Sequence, residues 1–290
     1  MAVELSVIVP CSDGCRRAGE TLEALEITAR GLEVEVILAD GSTDGSGRAA
    51  LERGPATCIP VPGANAAQLR AAGVKASTGR CVALVEPWAR PFPSWAAALL
   101  ERLEGTAWTA AVGGPVVYDG PHRAAPLAEF LFEYGAFLPP LAGEVRELPV
   151  NNVSYPRELL ERFRARWQDG LWKHFLHADL RRAGVRLFCE PRAVVRHARA
   201  VPFPRFLEER FHHGRAYAAR RGGAAARALL APLLPFLLAG RLGREVARKP
   251  GGVRALARSL APLLAAETAW SLGEALGYLA GDGGSSRRVF

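Results

Sequence analysis

The chain has 290 residues, 49% of them hydrophobic and 23% charged. That is enough to bury a sizeable core, and it excludes disordered, collagenous, coiled-coil and disulfide-scaffold classes. The formal charge of +8 is unevenly placed: residues 201–290 carry 14 Lys and Arg against 6 Asp and Glu, whereas residues 1–200 are balanced at 23 of each.

LSVIVP (5–10) is a continuous apolar run of strand length, closed by Pro10 and the turn-like CSDG. A helix is expected from Arg16 to Arg30, then a second strand, VEVILAD (34–40), ending on an acid, and a Gly/Ser/Asp loop, GSTDGS (41–46). Residues 47–53 read as helical, CIPV (58–61) as a short strand, Ala-rich 64–76 as a helix, and CVALVE (81–86) as a fourth strand that again ends on an acid. Apolar strands alternating with helices imply a doubly wound, mostly parallel α/β sheet. Ligands bind such sheets at the carboxyl ends of the strands, near a switch in strand order. Asp13, Asp40 and Glu86 occupy such ends and are site residues on that ground; the structural alternative is that they form turns or cap helices, the role expected of Asp44.

These segments, in this order, resemble family-2 glycosyltransferases of the GT-A fold. The resemblance rests on SVIVPCSDG, EVILADGSTDGS, an Ala-rich helix with Arg70 and Gly73, CVALVE and PWARPFPSW (87–95). AVGGPVV (111–117) is similar to the strand after the donor site, LPVNNVSYPRELL (148–160) to the segment near the acceptor, and LWKHFLHADLRRAGVRLFCEPRAVVRH (171–197) to the late helix, strand and terminal His. The resemblance covers nearly all of residues 4–200. It implies a GT-A domain over 1–200 that binds a nucleotide-diphosphate sugar through Pro10, Asp13, Asp40, Arg70 and Glu86. A divalent cation, magnesium or manganese, would be held by Glu86 and His197, and the acceptor by Asn151, Asn152, Trp172 and Lys173. A carboxylate would deprotonate the acceptor hydroxyl, with inversion at the anomeric carbon.

Three departures stand out. Ala39-Asp40 replaces paired acids after the second strand, Glu86-Pro87-Trp88 replaces an acid-x-acid metal motif, and Trp172-Lys173 occupies the place of the base. An ammonium with an ordinary pKa near 10.4 is no base at neutral pH. Asp169, four residues before Lys173, would share its helix face and is the expected catalytic base; the alternative is an ordinary surface pair. His174 and His177 are expected to be surface or satisfied core histidines.

The basic part, 201–290, reads as a helical extension. PFPRFLEERFHHGRAYAARRGG (202–223) is a basic, aromatic helix, followed by two apolar segments, 228–240 and 259–281, around a basic linker. The first is short for a span and contains Pro232 and Pro235; the second carries Glu267 and Glu274. Interfacial attachment to an anionic membrane surface is therefore expected, without spanning. The alternative is a helical cap packed on the body or on a second copy as a homodimer. Nucleic acid is not expected, because the basic residues are interleaved with Leu/Ala runs. The five cysteines lack a paired metal-site spacing, and Cys81 and Cys189 read as buried thiols. The expected location is the cytoplasmic face of a membrane. Two further readings are a degenerate, non-catalytic nucleotide-sugar-binding or scaffold protein, and a sugar nucleotidyltransferase, for which CSDGCRR makes a poor phosphate loop.

Overall fold

The computed structural model describes residues 2–199, 201–223 and 225–288. The elements, in chain order, begin with β1 (Leu5–Cys11), α1 (Ala18–Thr28), β2 (Val34–Asp40), α2 (Ser46–Leu51), β3 (Thr57–Pro60), α3 (Ala66–Ala76) and β4 (Cys81–Leu84). They continue with β5 (Ala89–Pro91), α4 (Trp95–Gly105), β6 (Ala111–Gly113), β7 (Val116–Tyr118), α5 (Ala124–Tyr134) and β8 (Gly143–Glu144). Then come β9 (Val153–Pro156), α6 (Arg157–Arg162), α7 (Lys173–Arg182), β10 (Leu187–Cys189) and β11 (Val195–His197). The last helices are α8 (Phe203–Arg221), α9 (Leu234–Ala247) and α10 (Gly252–Ala280).

The protein is α/β. Eight strands form a mostly parallel sheet in the order β3-β2-β1-β4-β9-β6-β10-β8, in which β9 is antiparallel to both its neighbours and β8 antiparallel to β10. A second sheet has the order β5-β11-β7. The expected single strand over 111–117 is two strands in different sheets. Gly113 and Gly114 make the break: a Cβ on either would overlap a backbone carbonyl, that of Asn152 or Ala193.

β1 is buried along its length because both faces are covered. Leu5, Val7 and Val9 pack with Leu22 and Leu25 of α1 and Leu99 and Leu103 of α4 on one face. Ile8, with Val82 and Leu84, packs under Val74 of α3 and Leu176 and Leu180 of α7 on the other. The period-two alternation of a strand thus assigns α3 and α7 to one face. A disulfide joins Cys11, the last residue of β1, to Cys15, and Cys81 and Cys189 are buried thiols.

The chain divides into two compact units, one of Met1–Val117 with Pro139–His197, the other of Tyr118–Leu138 with Ala198–Phe290. The helical unit therefore recruits α5 from the middle of the chain as well as the basic C-terminal part. Within it α10 runs 29 residues through Pro262 and starts seven residues before the apolar stretch at 259–281. Gly214, Gly273 and Gly277 let α8 and α10 approach backbone to backbone: a Cβ on any of them would overlap a carbonyl oxygen of the facing helix. Glu274 accepts hydrogen bonds from Trp270 Nε1 and the Tyr278 hydroxyl, both at 3.0 Å. Glu267, Glu274 and Ser271 are buried, so this segment is a packed helix of the unit. Among the described residues, no helix is long and apolar enough to cross a membrane.

Candidate active site at the strand ends

The strand order reverses at β1: the chain runs outward through β2 and β3, then returns by α3 to β4 on the other side. The crevice outside the carboxyl ends of β1 and β4 is therefore the switch point at which open α/β sheets bind ligands. The registers bring three expected residues to this rim. Pro10 pairs with Ala39 and Cys11 with Asp40; Ile8 pairs with Leu84, which puts Glu86 level with Pro10. At about 4.8 Å between strands, the β2 and β4 ends are about 10 Å apart.

Arg70 reaches the same rim from α3. Asn65 caps α3 reciprocally with Gln68, and Gly73, at which a Cβ would overlap Ile8 Cγ2, lets the helix lie directly on β1. One turn earlier, Arg70 donates from Nη2 (2.5 Å) and Nε (3.2 Å) to Glu86 Oε1. Both side chains are largely buried.

Asp13 and Asp40 are partly committed to their own loops. Asp13 Oδ1 accepts from the Thr43 and Asp44 amides at 2.5 and 3.2 Å, and Asp44 Oδ2 accepts from the Gly14 amide at 2.9 Å, so the loops after β1 and β2 latch reciprocally. Asp44 also accepts from the Ser46 amide, which makes a turn before α2 rather than the expected cap: the cap residue is Gly45, without a side-chain cap bond. Asp40 Oδ1 accepts from the Ser42 amide at 2.9 Å, and its carboxylate lies where a Cβ of Gly47 would be.

The expected acceptor and metal residues have these surroundings. Asn152 is fully buried and spent on structure: its Oδ1 accepts from Trp95 Nε1, and its Nδ2 donates to the Pro115 and Ala193 carbonyls. Asn151, also buried, lies with Nδ2 3.3 Å from His197 Nδ1, while its Oδ1 has no hydrogen-bond partner. His197 is wholly buried and pairs across β11–β5 with Ala89, three residues beyond Glu86. A divalent cation of the magnesium class needs several oxygen ligands. Here Glu86 Oε1 is held by a guanidinium, Trp88 stands where a second acid would be, and His197 Nδ1 faces an amide. These residues do not fit that cation, and no group of three or more His, Cys, Asp or Glu suited to a metal occurs among the described residues.

The expected Asp169–Lys173 face does not form. Asp169 lies in an exposed turn, and α7 begins only at Lys173, after Trp172 at the cap. Lys173 is buried and donates instead to Glu147 Oε2 (3.3 Å) and the Leu148 carbonyl (3.1 Å). His174 Nδ1 stands 3.4 Å from the same Glu147 oxygen. Burial would raise the Glu147 pKa, but the His174 hydrogen bond and the Lys173 charge outweigh it and hold the carboxyl well below its usual range. Burial lowers the Lys173 pKa, partly offset by Glu147, and burial with the Lys173 charge lowers that of His174. His177 is a core histidine but only half satisfied: its Nε2 lies 2.7 Å from the buried Tyr155 hydroxyl, its Nδ1 has no hydrogen-bond partner, and burial lowers its pKa well below the usual value. The Leu171 amide donates to the Ala67 carbonyl, tying this segment to the first turn of α3, the helix that carries Arg70.

Sequence reasoning missed Glu147. It lies in an irregular loop after β8, 26 residues from its lysine; the available signal was an unexplained lysine where a carboxylate was expected. No family model matches the chain, and no curated protein matches it.

Proposed function

We propose that the first unit transfers a glycosyl group from a nucleotide-diphosphate sugar to an acceptor hydroxyl, with inversion, on a fold of the GT-A type. The observation that supports this best is the convergence of Pro10, Asp40 and the Arg70–Glu86 pair on the switch-point rim. On the same sheet face, α7 begins beside an ionised carboxylate. Pro10 and Asp40 line the nucleotide end. Arg70, whose Nε–Nη2 edge is held by Glu86, offers its positive charge and remaining N–H groups to the diphosphate. Glu147, with a side chain 39% exposed, takes the role assigned from the sequence to Asp169. It accepts the acceptor's proton while the acceptor oxygen bonds to the anomeric carbon and the nucleoside diphosphate departs with the electron pair of the broken bond. Lys173 and His174 hold that carboxylate in place. A lipid-linked, cell-envelope or small-molecule acceptor completes the reading.

The test is a thermal-shift panel of uridine, guanosine and thymidine diphosphate sugars, with and without manganese, followed by donor turnover. At least one donor is expected to raise the melting temperature of the wild type, and Arg70→Ala to abolish the shift. A flat response across the panel overturns the reading. A second reading, a non-catalytic nucleotide-sugar binder, is favoured by Lys173 and Trp88 standing where acids are expected; it predicts a donor shift with neither transfer nor hydrolysis.

A further inference from the structure

Most large apolar side chains are covered; α10 exposes Val253, Leu260, Leu272 and Leu279 singly along its length, whereas one short stretch of the helical unit exposes five close together. Leu229, Leu233, Phe236 and Leu237 are 80%, 58%, 69% and 61% exposed, and Leu230 is 52% exposed. Leu229 and Leu230 end a 3-10 helix (Ala225–Leu230), and the others belong to the start of α9 and the residue before it. Residues 233, 236, 237, 240, 241, 244 and 248 recur at helical spacing and share one face. That face is apolar at its start and basic afterwards, with Arg241, Arg244 and Arg248 all exposed; Glu245, also exposed, is the acid beside them. The opposite face is packed: Pro235 and Val246 are buried, and Leu242 and Val246 lie against the backbone at Gly135.

We infer that this stripe is a monotopic membrane-docking face whose occupant is an anionic lipid bilayer. The leucines and Phe236 enter the acyl boundary, and the arginines that continue the same face lie at the level of the lipid phosphates. Charge complementarity selects this occupant, since residues 201–290 hold the protein's entire net charge of +8. A second copy fits worse. Two-fold pairing of the stripe would set arginines against arginines or against leucines, removing guanidinium groups from water without a partner. The inference places the attachment in Leu229–Arg248, whereas α10, the longer apolar stretch in the sequence, buries its carboxylates within the unit. It stands independently of the glycosyl-transfer reading.

The experiment is co-sedimentation of the full chain with phosphatidylcholine vesicles containing 0% or 30% phosphatidylglycerol, with size-exclusion chromatography alongside. The wild type is expected to pellet with the anionic vesicles and at least about tenfold less with the neutral ones. Leu233→Asp/Phe236→Asp is expected to lose binding to both. Arg241→Glu/Arg244→Glu/Arg248→Glu is expected to lose the anionic preference. Leu272→Asp/Leu279→Asp, at exposed leucines of α10 outside the stripe, is expected to bind as the wild type does, which separates loss of the face from loss of solubility or fold. Failure of the wild type to pellet with anionic vesicles overturns the inference. So does a dimer that Leu233→Asp/Phe236→Asp converts to monomer without changing sedimentation.

Discussion

The two units bury carboxylates in opposite ways. In the first, Glu147 keeps a side chain 39% exposed and shares one oxygen with Lys173 and His174, which hold it ionised. In the second, Glu267 is 4% exposed, and burial pushes it up to about 8 against the opposing charge of Arg210. Burial also raises Glu129 to about 7 although Arg199 donates to it at 2.7 Å, that arginine being shared with Glu209. Desolvation acts on all three groups; whether it prevails depends on how many donors converge on the carboxylate and how much water remains. Under the glycosyl-transfer proposal the part-exposed, charged carboxylate serves chemistry, whereas one sealed between helices serves packing.

The strongest way to break this contrast is to neutralise each carboxylate. Glu147→Gln is expected to lower turnover by about 10²–10⁴-fold, the usual contribution of a general base, while the thermal shift with donor persists. Retained turnover with retained donor binding would remove Glu147 as base and leave the donor site standing. Glu267→Gln, by contrast, is expected to leave turnover unchanged.

Packing sharpens the comparison next. Gly273→Leu drives a side chain into the Phe211 carbonyl at the α8–α10 crossing, and is expected to destabilise the helical unit by about 2–5 kcal/mol. Gly243→Ala, in α9 with open space around it, is expected to stabilise it by about 0.5–1 kcal/mol. Chemical denaturation of both variants measures the pair, and equal effects would mean that close approach of the two backbones contributes nothing.

Stability against pH should run in opposite directions in the two units. The folded pKa of Glu267, about 8, lies above its unfolded value, so the folded state binds the proton more tightly. Its contribution is complete below about pH 4.5 and is lost as pH rises through 8. Glu147, depressed in the folded state, contributes above its unfolded value and loses that contribution as pH falls through its folded pKa. Hydrogen exchange is expected to show peptides of α8 and α10 opening more readily at pH 8.5 than at pH 6, by roughly 1–3 kcal/mol. Glu267→Gln should reduce that difference to the smaller part contributed by Glu129, which burial raises to about 7.

Much of the parallel half of the fold could be read from sequence because β1, β2 and β4 are apolar runs with acids or Pro at their ends, and a strand covered on both faces shows up as such a run. The rim positions of Pro10, Asp40 and Glu86 followed from that reading. What escaped it depended on long-range contacts. Gly113-Gly114 splits one apparent strand because two other segments crowd its backbone. Asn152 looked like a binding residue and is a buried cross-tie among Trp95, Pro115 and Ala193. Glu147 carries no local pattern, and only tertiary packing brings it to Lys173. In 259–281, glycines and acids that interrupt an apolar run are the residues that pack α10 on α8.

The smallest expected effect separates two carboxylates of the first unit. From sequence the base is Asp169, on a helix that would align it with Lys173. Instead Gly170 takes a positive φ of 157°, Leu171 bonds to Ala67, and α7 starts after both, leaving Asp169 exposed in the preceding turn while Lys173 turns to Glu147. Asp169→Asn is therefore expected to change turnover by no more than about threefold, short of the loss that removal of a general base produces. Melting temperature should stay within about 1 °C, as for a surface substitution. A hundredfold loss in Asp169→Asn with full activity in Glu147→Gln would return the base to the turn before α7. It would also make the Lys173–Glu147 pair a structural clamp of the same kind as those in the helical unit.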